Sequence, residues 1–415
     1  MRGRLSYMNI NFYTDSIFMF VCTILVMLMT PALALFYGGM VKRENALSTA
    51  MHSYASIGII AVQWILIGYS LAFGTNHGGF IGSVDWAGLK GVGFTPNEDY
   101  SATIPHSLFM MFQMMFAILT PAILSGSIAE RMKFGPFLLF ILVWTTLVYD
   151  PIAHWVWGVG GWLRELGALD FAGGTVIHIA SGVSGLVVAL VLGKRINHTQ
   201  TTAHNIKLTL FGAGLLWFGW FGFNVGSALS LNNVAMNAFI TTMVATATAA
   251  LVWMVCDLVL NKKIKSSGNA NGIIAGLVAI TPACGFVTPM AAILIGAISS
   301  IICYFSVTKL KEVLGYDDTL DAFGLHGAGG IWGAIATGLF ATVKVNEAGA
   351  NGLFYGGGFV LIIKQLIAVG ATALFCAVAT FIIIKVINKI CPIRVNEKCE
   401  EEGLDISLHG EKAYS

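Results

Sequence analysis

His178-Ile-Ala-Ser-Gly182-Val-Ser-Gly185 and His326-Gly-Ala-Gly-Gly330-Ile-Trp-Gly333 both read H-x-A-[SG]-G-x-x-G, and each stands inside an apolar run. Each copy follows an acidic residue, Asp170 or Asp321, across a Gly-containing stretch. An ionisable side chain inside a bilayer-spanning run is costly unless it faces a partner or a cavity. Small residues four apart let two helices approach closely. The two stretches therefore read as a pair of helices that meet in the interior of a membrane protein, each presenting one histidine.

The rest of the chain agrees. Of 415 residues, 56% are apolar, against 23 Lys and Arg and 21 Asp and Glu. That stock supplies about eleven spans of ~20 residues and leaves nothing for a large separate soluble domain. The 48 Gly and 16 Met suit closely packed helices better than a barrel of alternating strands. A net charge of +2 with no basic tract among exposed aromatics argues against nucleic acid as a partner. Seven cysteines are an odd number, several lie in apolar runs, and they read as small apolar fillers without a disulfide framework.

Apolar runs broken by charge or Gly/Pro clusters predict eleven transmembrane helices near 15–41, 49–73, 104–126, 135–157, 172–193, 207–230, 234–260, 271–282, 286–308, 321–342 and 353–390. Five spans separate the two histidine copies, so they run in opposite directions. The expected fold is thus all-α, with an inverted repeat of five plus five helices and an eleventh, C-terminal one. Lys42, Arg43, Arg131, Lys133, Lys194, Arg195, Lys207, Lys262, Lys263, Lys265, Lys309 and Lys311 fall in alternate loops, which the positive-inside rule makes cytoplasmic. The N-terminus is then outside and the C-terminus inside. The first apolar run exceeds a signal h-region and continues past Ala34, so it reads as retained despite Arg2 and Arg4 ahead of it. Residues 1–400 form the expected transmembrane domain and 388–415 a polar cytoplasmic tail, whose composition favours disorder.

His178 and His326 are the leading functional candidates. No further Cys, His or carboxylate stands at helical spacing from either, which argues against a metal site. Trp157 and Ser227 sit at predicted outer helix ends, where an aromatic face and a hydroxyl can hold a small cation. Phe116 and Phe223 lie deeper, where rings gate by excluding water. Walls of Phe, Trp, Leu and Ile with two imidazoles cannot replace the hydration of a bare metal cation. A weak-acid cation that sheds its proton at the mouth can cross as its neutral base, with the imidazoles offering hydrogen bonds or relaying the proton.

These residues resemble the ammonium transporter family, known as Amt or Mep. The segment Asp170-Phe-Ala-Gly-Gly-Thr-Val-Ile-His178, continuing to Gly193-Lys194-Arg195, is similar to that family's signature. Ala34-Leu-Phe-Tyr-Gly-Gly39, Phe112-Gln113-x-x-Phe116-Ala117, Ala153-His-Trp-Val-Trp157-Gly158, Gly219-Trp-Phe-Gly-Phe-Asn224 and Asp317-Asp318 with Asp321-Ala-Phe-Gly-Leu-His326 follow in the family's order along nearly the whole chain. The resemblance implies a homotrimer in the cell membrane with one pore per subunit, and no cofactor. It implies an ammonium recruitment site at Phe116, Trp157 and Ser227, shaped by Asp170, which would also assist deprotonation. Phe116 and Phe223 would form a gate, His178 and His326 a twin-histidine pair, and Trp220 the inner lining. Phe36 and Gln113, inside two of the matching stretches, join the pore set. Trp157 with Ser227 points to the Amt branch and away from the related Rhesus proteins.

The tail segments Glu402-Gly403-Leu-Asp405 and His409-Gly410-Glu411 are similar to the family's cytoplasmic C-terminus. That likeness revises disorder towards a tail packed on the cytoplasmic loops, where a PII-type signalling protein would dock. Asp150 departs from the best-known members. It stands four residues before His154 on one helical face, where it could strengthen cation attraction or pair with that histidine. The expected activity is ammonium transport, with ammonia passing through the pore and the proton relayed separately. An ammonium sensor signalling through its tail is the alternative. An enzyme is disfavoured, since no nucleophile, cofactor motif or metal set is present to carry catalysis.

Overall fold

Helices this apolar persist only where each buries one side on its neighbours and leaves the other to lipid. The computed structural model describes residues 2–196 and 203–414, and side chains from Ile10 onward; those of Arg2 and Arg4 lie outside the described residues. Among the described residues, nine helices are long and apolar enough to cross a membrane. They are α1 (Ile10–Met40), α2 (Arg43–Phe73), α3 (His106–Ser127), α4 (Phe134–Leu166), α5 (Gly174–Leu192), α6 (Ile206–Gly226), α7 (Asn233–Asn261), α9 (Pro289–Leu314) and α11 (Val360–Ile390). Two further helices, α8 (Ser266–Ile280) and α10 (Ala328–Phe340), complete the bundle. The run predicted over 353–390 begins as a separate short turn, Leu353–Tyr355, before α11 starts at Val360.

Both histidine segments open with a π turn, Gly174–Ile179 ahead of the regular part of α5 and Phe323–Gly327 ahead of α10. A π turn leaves the backbone ladder out of register for one turn and re-aims its side chains. Asp170 fixes the first of these turns. One carboxylate oxygen accepts the Gly173 and Gly174 amides at 2.7 Å each, and the other accepts the Thr175 amide at 2.7 Å and its hydroxyl.

The second turn has the same device, with a correction to the sequence reading. Asp318, and not Asp321, is the counterpart: it too stands eight residues before its histidine, and its carboxylate accepts the Ala322 and Phe323 amides at 3.2 and 2.8 Å. Asp321 instead occupies a left-handed conformation, with φ of 58°, and pairs with Lys311 at 2.7 Å.

The α10 segment begins beside the end of α5, away from the Asp170 end. Asp170, at the start of α5, lies beside Trp157 at the end of the main run of α4. Asp318 follows Asp317, which is bound to Arg195 just beyond the end of α5. The segments cross where the backbones of Gly182 and Gly327 touch, and any side chain at Gly182 would collide with the Gly327 backbone. This is the close approach expected from the small residues after each histidine. The expectation of helices alone needs amending between α2 and α3, where two short hairpins pair Asn76–His77 with Ile81–Gly82 and Pro96–Asn97 with Ser101–Pro105.

Candidate functional site

Where the main run of α4 stops, Gly158 turns extended and its amide bonds back to the Ala153 and His154 carbonyls. The preceding Trp157 indole donates to the Asp170 carbonyl at 3.0 Å, which ties it to the start of α5. Ser227 caps α6, its hydroxyl donating to the Phe223 carbonyl at 2.9 Å. Between these ends lies a cavity of about 210 Å³ lined by Phe116, Trp157, Ser227, Gln113, Tyr100 and Arg164, among others. Three of the four residues assigned to substrate binding thus meet in one place.

Asp170, the fourth, does not line the cavity. Its carboxylate is taken up by three amides and a hydroxyl of its own chain, and it acts on the site through the backbone it holds. Gln113, assigned to the pore, stands on the cavity wall, where its amide oxygen has no hydrogen-bond partner among the described residues.

The cavity is floored by aromatic rings. Phe116 and Phe223 stand with centroids 4.4 Å apart, and Phe116 meets Trp157 edge-on at 6.0 Å. Beneath them the His178 ring lies nearly parallel to Phe223 at 6.1 Å and to Trp220 at 5.3 Å. His178 Nδ1 faces His326 Nδ1 at 3.2 Å, so one ring donates and the other accepts. The hydrogen-bond pattern assigns no tautomer to either ring. His178 Nε2 is buried with no protein partner among the described residues, an open hydrogen-bonding position on a ring stacked against Trp220 and Phe223.

The Trp220 indole is held by Thr281 Oγ1 at 2.9 Å, a contact the sequence did not reveal. Its signal was faint: a threonine before Pro282 at the end of an apolar helix. Phe36 is buried on α1 against α6 near Gly212, and its ring contact is with Tyr37 at 5.7 Å. It does not join the cluster of rings around the histidines.

Neither suggestion for Asp150 holds. Its carboxylate accepts from Gln63 at 2.7 Å, while His154 bonds the Ala72 carbonyl at 3.0 Å and Asn76 at 2.9 Å. Asp150 is buried away from the cavity wall. Among the described residues, no three His, Cys, Asp or Glu side chains converge to hold a metal ion.

The Ammonium Transporter Family model matches residues 17–414. The chain belongs to this family. It is 60% identical over 400 residues to an ammonium transporter of Bacillus subtilis, covering 96% of this chain and 98% of that one. It is 47% identical over 396 residues to the ammonium transporter Amt1 of Archaeoglobus fulgidus, covering 95% and 97%. The fold superposes on the crystal structure of Saccharomyces cerevisiae Mep2 with a TM-score of 0.87 at 34% identity, covering 93% of this chain and 88% of that one. A structure described as a sensor Amt protein gives 0.88 at 27% identity, covering 97% and 99%.

In this ammonium transporter family member the tail is built, which overturns the disorder inferred from its composition. Arg394 Nη1 donates to the Leu192 carbonyl and Nη2 to that of Lys194 at the end of α5, and Glu400 accepts the Ile196 amide at 2.7 Å. Asp405 caps α2 by accepting the Leu47 and Ser48 amides at 3.1 and 2.7 Å. Burial pushes the Asp405 carboxyl up, against the pull of those amides.

His409 meets the Phe134 ring edge-on at 4.8 Å. Gly403 and Gly410 turn the chain with φ of 97° and 69°, and any side chain at Gly403 would strike Glu44. Beside the tail, Arg195 bridges Asp317 and Glu130. Burial alone would raise the Asp317 carboxyl, but its two-pronged bond with Arg195 holds it well below the usual carboxylate range. Arg131 is buried nearby, and burial brings its guanidinium down to about 10.

Proposed function

We propose that this protein moves ammonium nitrogen across the cell membrane by stripping the cation at the outer cavity and passing ammonia between the phenylalanines to the paired histidines. The observation that carries this reading is the 3.2 Å contact of His178 and His326 beneath the aromatic floor of the cavity. An indole and a serine hydroxyl attract a small cation at the mouth. Rings at 4.4 Å leave no room for its hydration shell, so the neutral base is the form that crosses. The open His178 Nε2 offers that base a hydrogen bond. The Nδ1 pair provides a path for the released proton.

All eleven helices are read as crossing the bilayer. α8 and α10 are shorter than the others, at 15 and 13 residues, and most of their residues are buried against neighbouring helices. Their place supports five plus five inverted helices and a final α11, with the N-terminus outside and the tail cytoplasmic. The family likeness supports a homotrimer, and the docked tail is a suitable landing face for a PII-type regulator. A second reading, ammonium sensing, is favoured by the likeness to a sensor Amt protein and by the direct bond of the tail to the start of α2.

The test is transport in proteoliposomes, with current and an internal pH dye recorded after an ammonium step. His178→Ala should cut the ammonium response at least tenfold, on the order of the loss of one proton-transfer group, while the oligomer still assembles. An unchanged response would remove the histidine pair from the mechanism. Silence of the wild-type protein in both channels would favour the sensor.

A further inference from the structure

We propose that Arg164 sets the affinity of the outer cavity, by competing with the incoming cation for the carbonyl that ends the main run of α4. This rests on the cavity being the recruitment site. The Trp157 carbonyl lies past the last backbone bonds of that run, because the Gly158 amide reaches back to Ala153 and His154. A free carbonyl at a helix C-terminus carries the negative end of the helix dipole and is a natural partner for a cation. Its partner here is Arg164 Nη1, at 2.8 Å. Arg164 comes from the short helix Trp162–Leu166, and its exposed side chain also lines the cavity.

Ammonium, with four N–H donors, suits the same oxygen. A guanidinium on the Trp157 carbonyl therefore occupies one polar contact the cation would use and repels it as it arrives. Asp99 lines the same cavity with the opposite charge. The mouth thus carries one cation and one anion, and a change at either tips its field. Tyr100, next to Asp99, fixes this wall by donating to the Phe73 carbonyl at 2.6 Å and accepting the Val159 amide at 3.3 Å. The charges then stand on a defined rim. Because both are solvated, the effect falls on capture of the cation and not on its passage through the rings below.

The test is the ammonium concentration dependence of transport by the full-length protein in proteoliposomes at about 10 mM and about 150 mM choline chloride, where the screening length falls from about 30 to about 8 Å. Arg164→Gln should lower the half-saturating concentration on the order of fivefold at low salt, and by less at high salt, with flux at saturation unchanged. Arg164→Lys should stay near wild type, and Asp99→Asn should raise the half-saturating concentration. A fall in saturating flux with an unmoved half-saturation would make Arg164 a clip for the Gly158–Trp162 turn and overturn the proposal. Trp157→Leu, run alongside, separates the two claims. If it shifts half-saturation and Arg164→Gln does not, only the role of Arg164 falls; if neither shifts, the recruitment site falls with it.

Discussion

The starts of the two histidine segments are built alike and placed in opposite settings. Asp170 and Asp318 each stand eight residues ahead of a histidine, and each caps a π turn with its carboxylate. Asp170 spends both oxygens on four donors beside an aromatic cavity, and its backbone carbonyl steadies Trp157. Asp318 satisfies two amides within a charged cluster of Arg195, Asp317, Lys311 and Asp321. The same local device thus anchors one histidine segment beside an aromatic-lined cavity and the other among charged side chains. A cap fixes the backbone, while the neighbours decide what chemistry the end of the segment faces.

The largest expected effect comes from breaking the more heavily used cap. Asp170→Ala leaves three buried amides without their acceptor and should cost about 2 kcal/mol of stability, with flux below a tenth of wild type. Asp318→Ala removes two such bonds from a segment that Arg131 also holds, through the Asp317 carbonyl and Thr319, and should cost about 1 kcal/mol with a milder loss. Melting temperature and flux, measured for both variants, would dissolve the comparison if Asp318→Ala proved the more damaging.

On the ionic side, Gly403→Val should lift the tail from α2, since the position needs φ of 97° and lies against Glu44. Hydrogen exchange at the Leu47 and Ser48 amides, which Asp405 protects, would rise at least tenfold. Protection equal to wild type would mean that the tail does not rely on this turn. On the aromatic side, Thr281→Val deprives the Trp220 indole of its acceptor and should cost about 1 kcal/mol, with flux reduced a few-fold. A variant transporting at the wild-type rate would show that Trp220 is held by packing alone.

The smallest effect is one of pH. The Asp317 carboxyl is held below its ordinary value of 3.8, so folding releases its proton and the ion pair contributes fully above that value. The contribution is lost as pH falls through the lower folded value. Exchange protection around Arg195 should therefore persist at pH 4 in wild type, and Asp317→Asn should be the less protected of the two at neutral pH. Loss of wild-type protection between pH 6 and 5 would contradict the assignment.

Much of the site was legible because its residues repeat or stand in apolar runs. The histidine motif appears twice, Trp157 and Ser227 sit at helix ends, and Phe116 stands within the apolar run of α3. What escaped the sequence depends on which donors and acceptors the packed fold brings together. Thr281 reaches Trp220 across 61 positions, Arg164 bends back to a carbonyl seven residues earlier, and Asp318 takes the role that the repeat in sequence gives to the nearer Asp321. The tail was misread from composition because its order comes from Asp405, Arg394 and Glu400 bonding to helix ends rather than from its own hydrophobicity.

By itself, the sequence determined that this is a bundle of membrane helices with two related histidine segments, because apolar length and small-residue spacing are local properties of a chain. Tertiary structure decided which carboxylate caps which turn, that Asp150 binds Gln63 and leaves His154 to Asn76, and that two imidazoles 148 positions apart stand 3.2 Å from each other. Those outcomes depend on which donors and acceptors are left unsatisfied once the helices have packed, and no single segment carries that information.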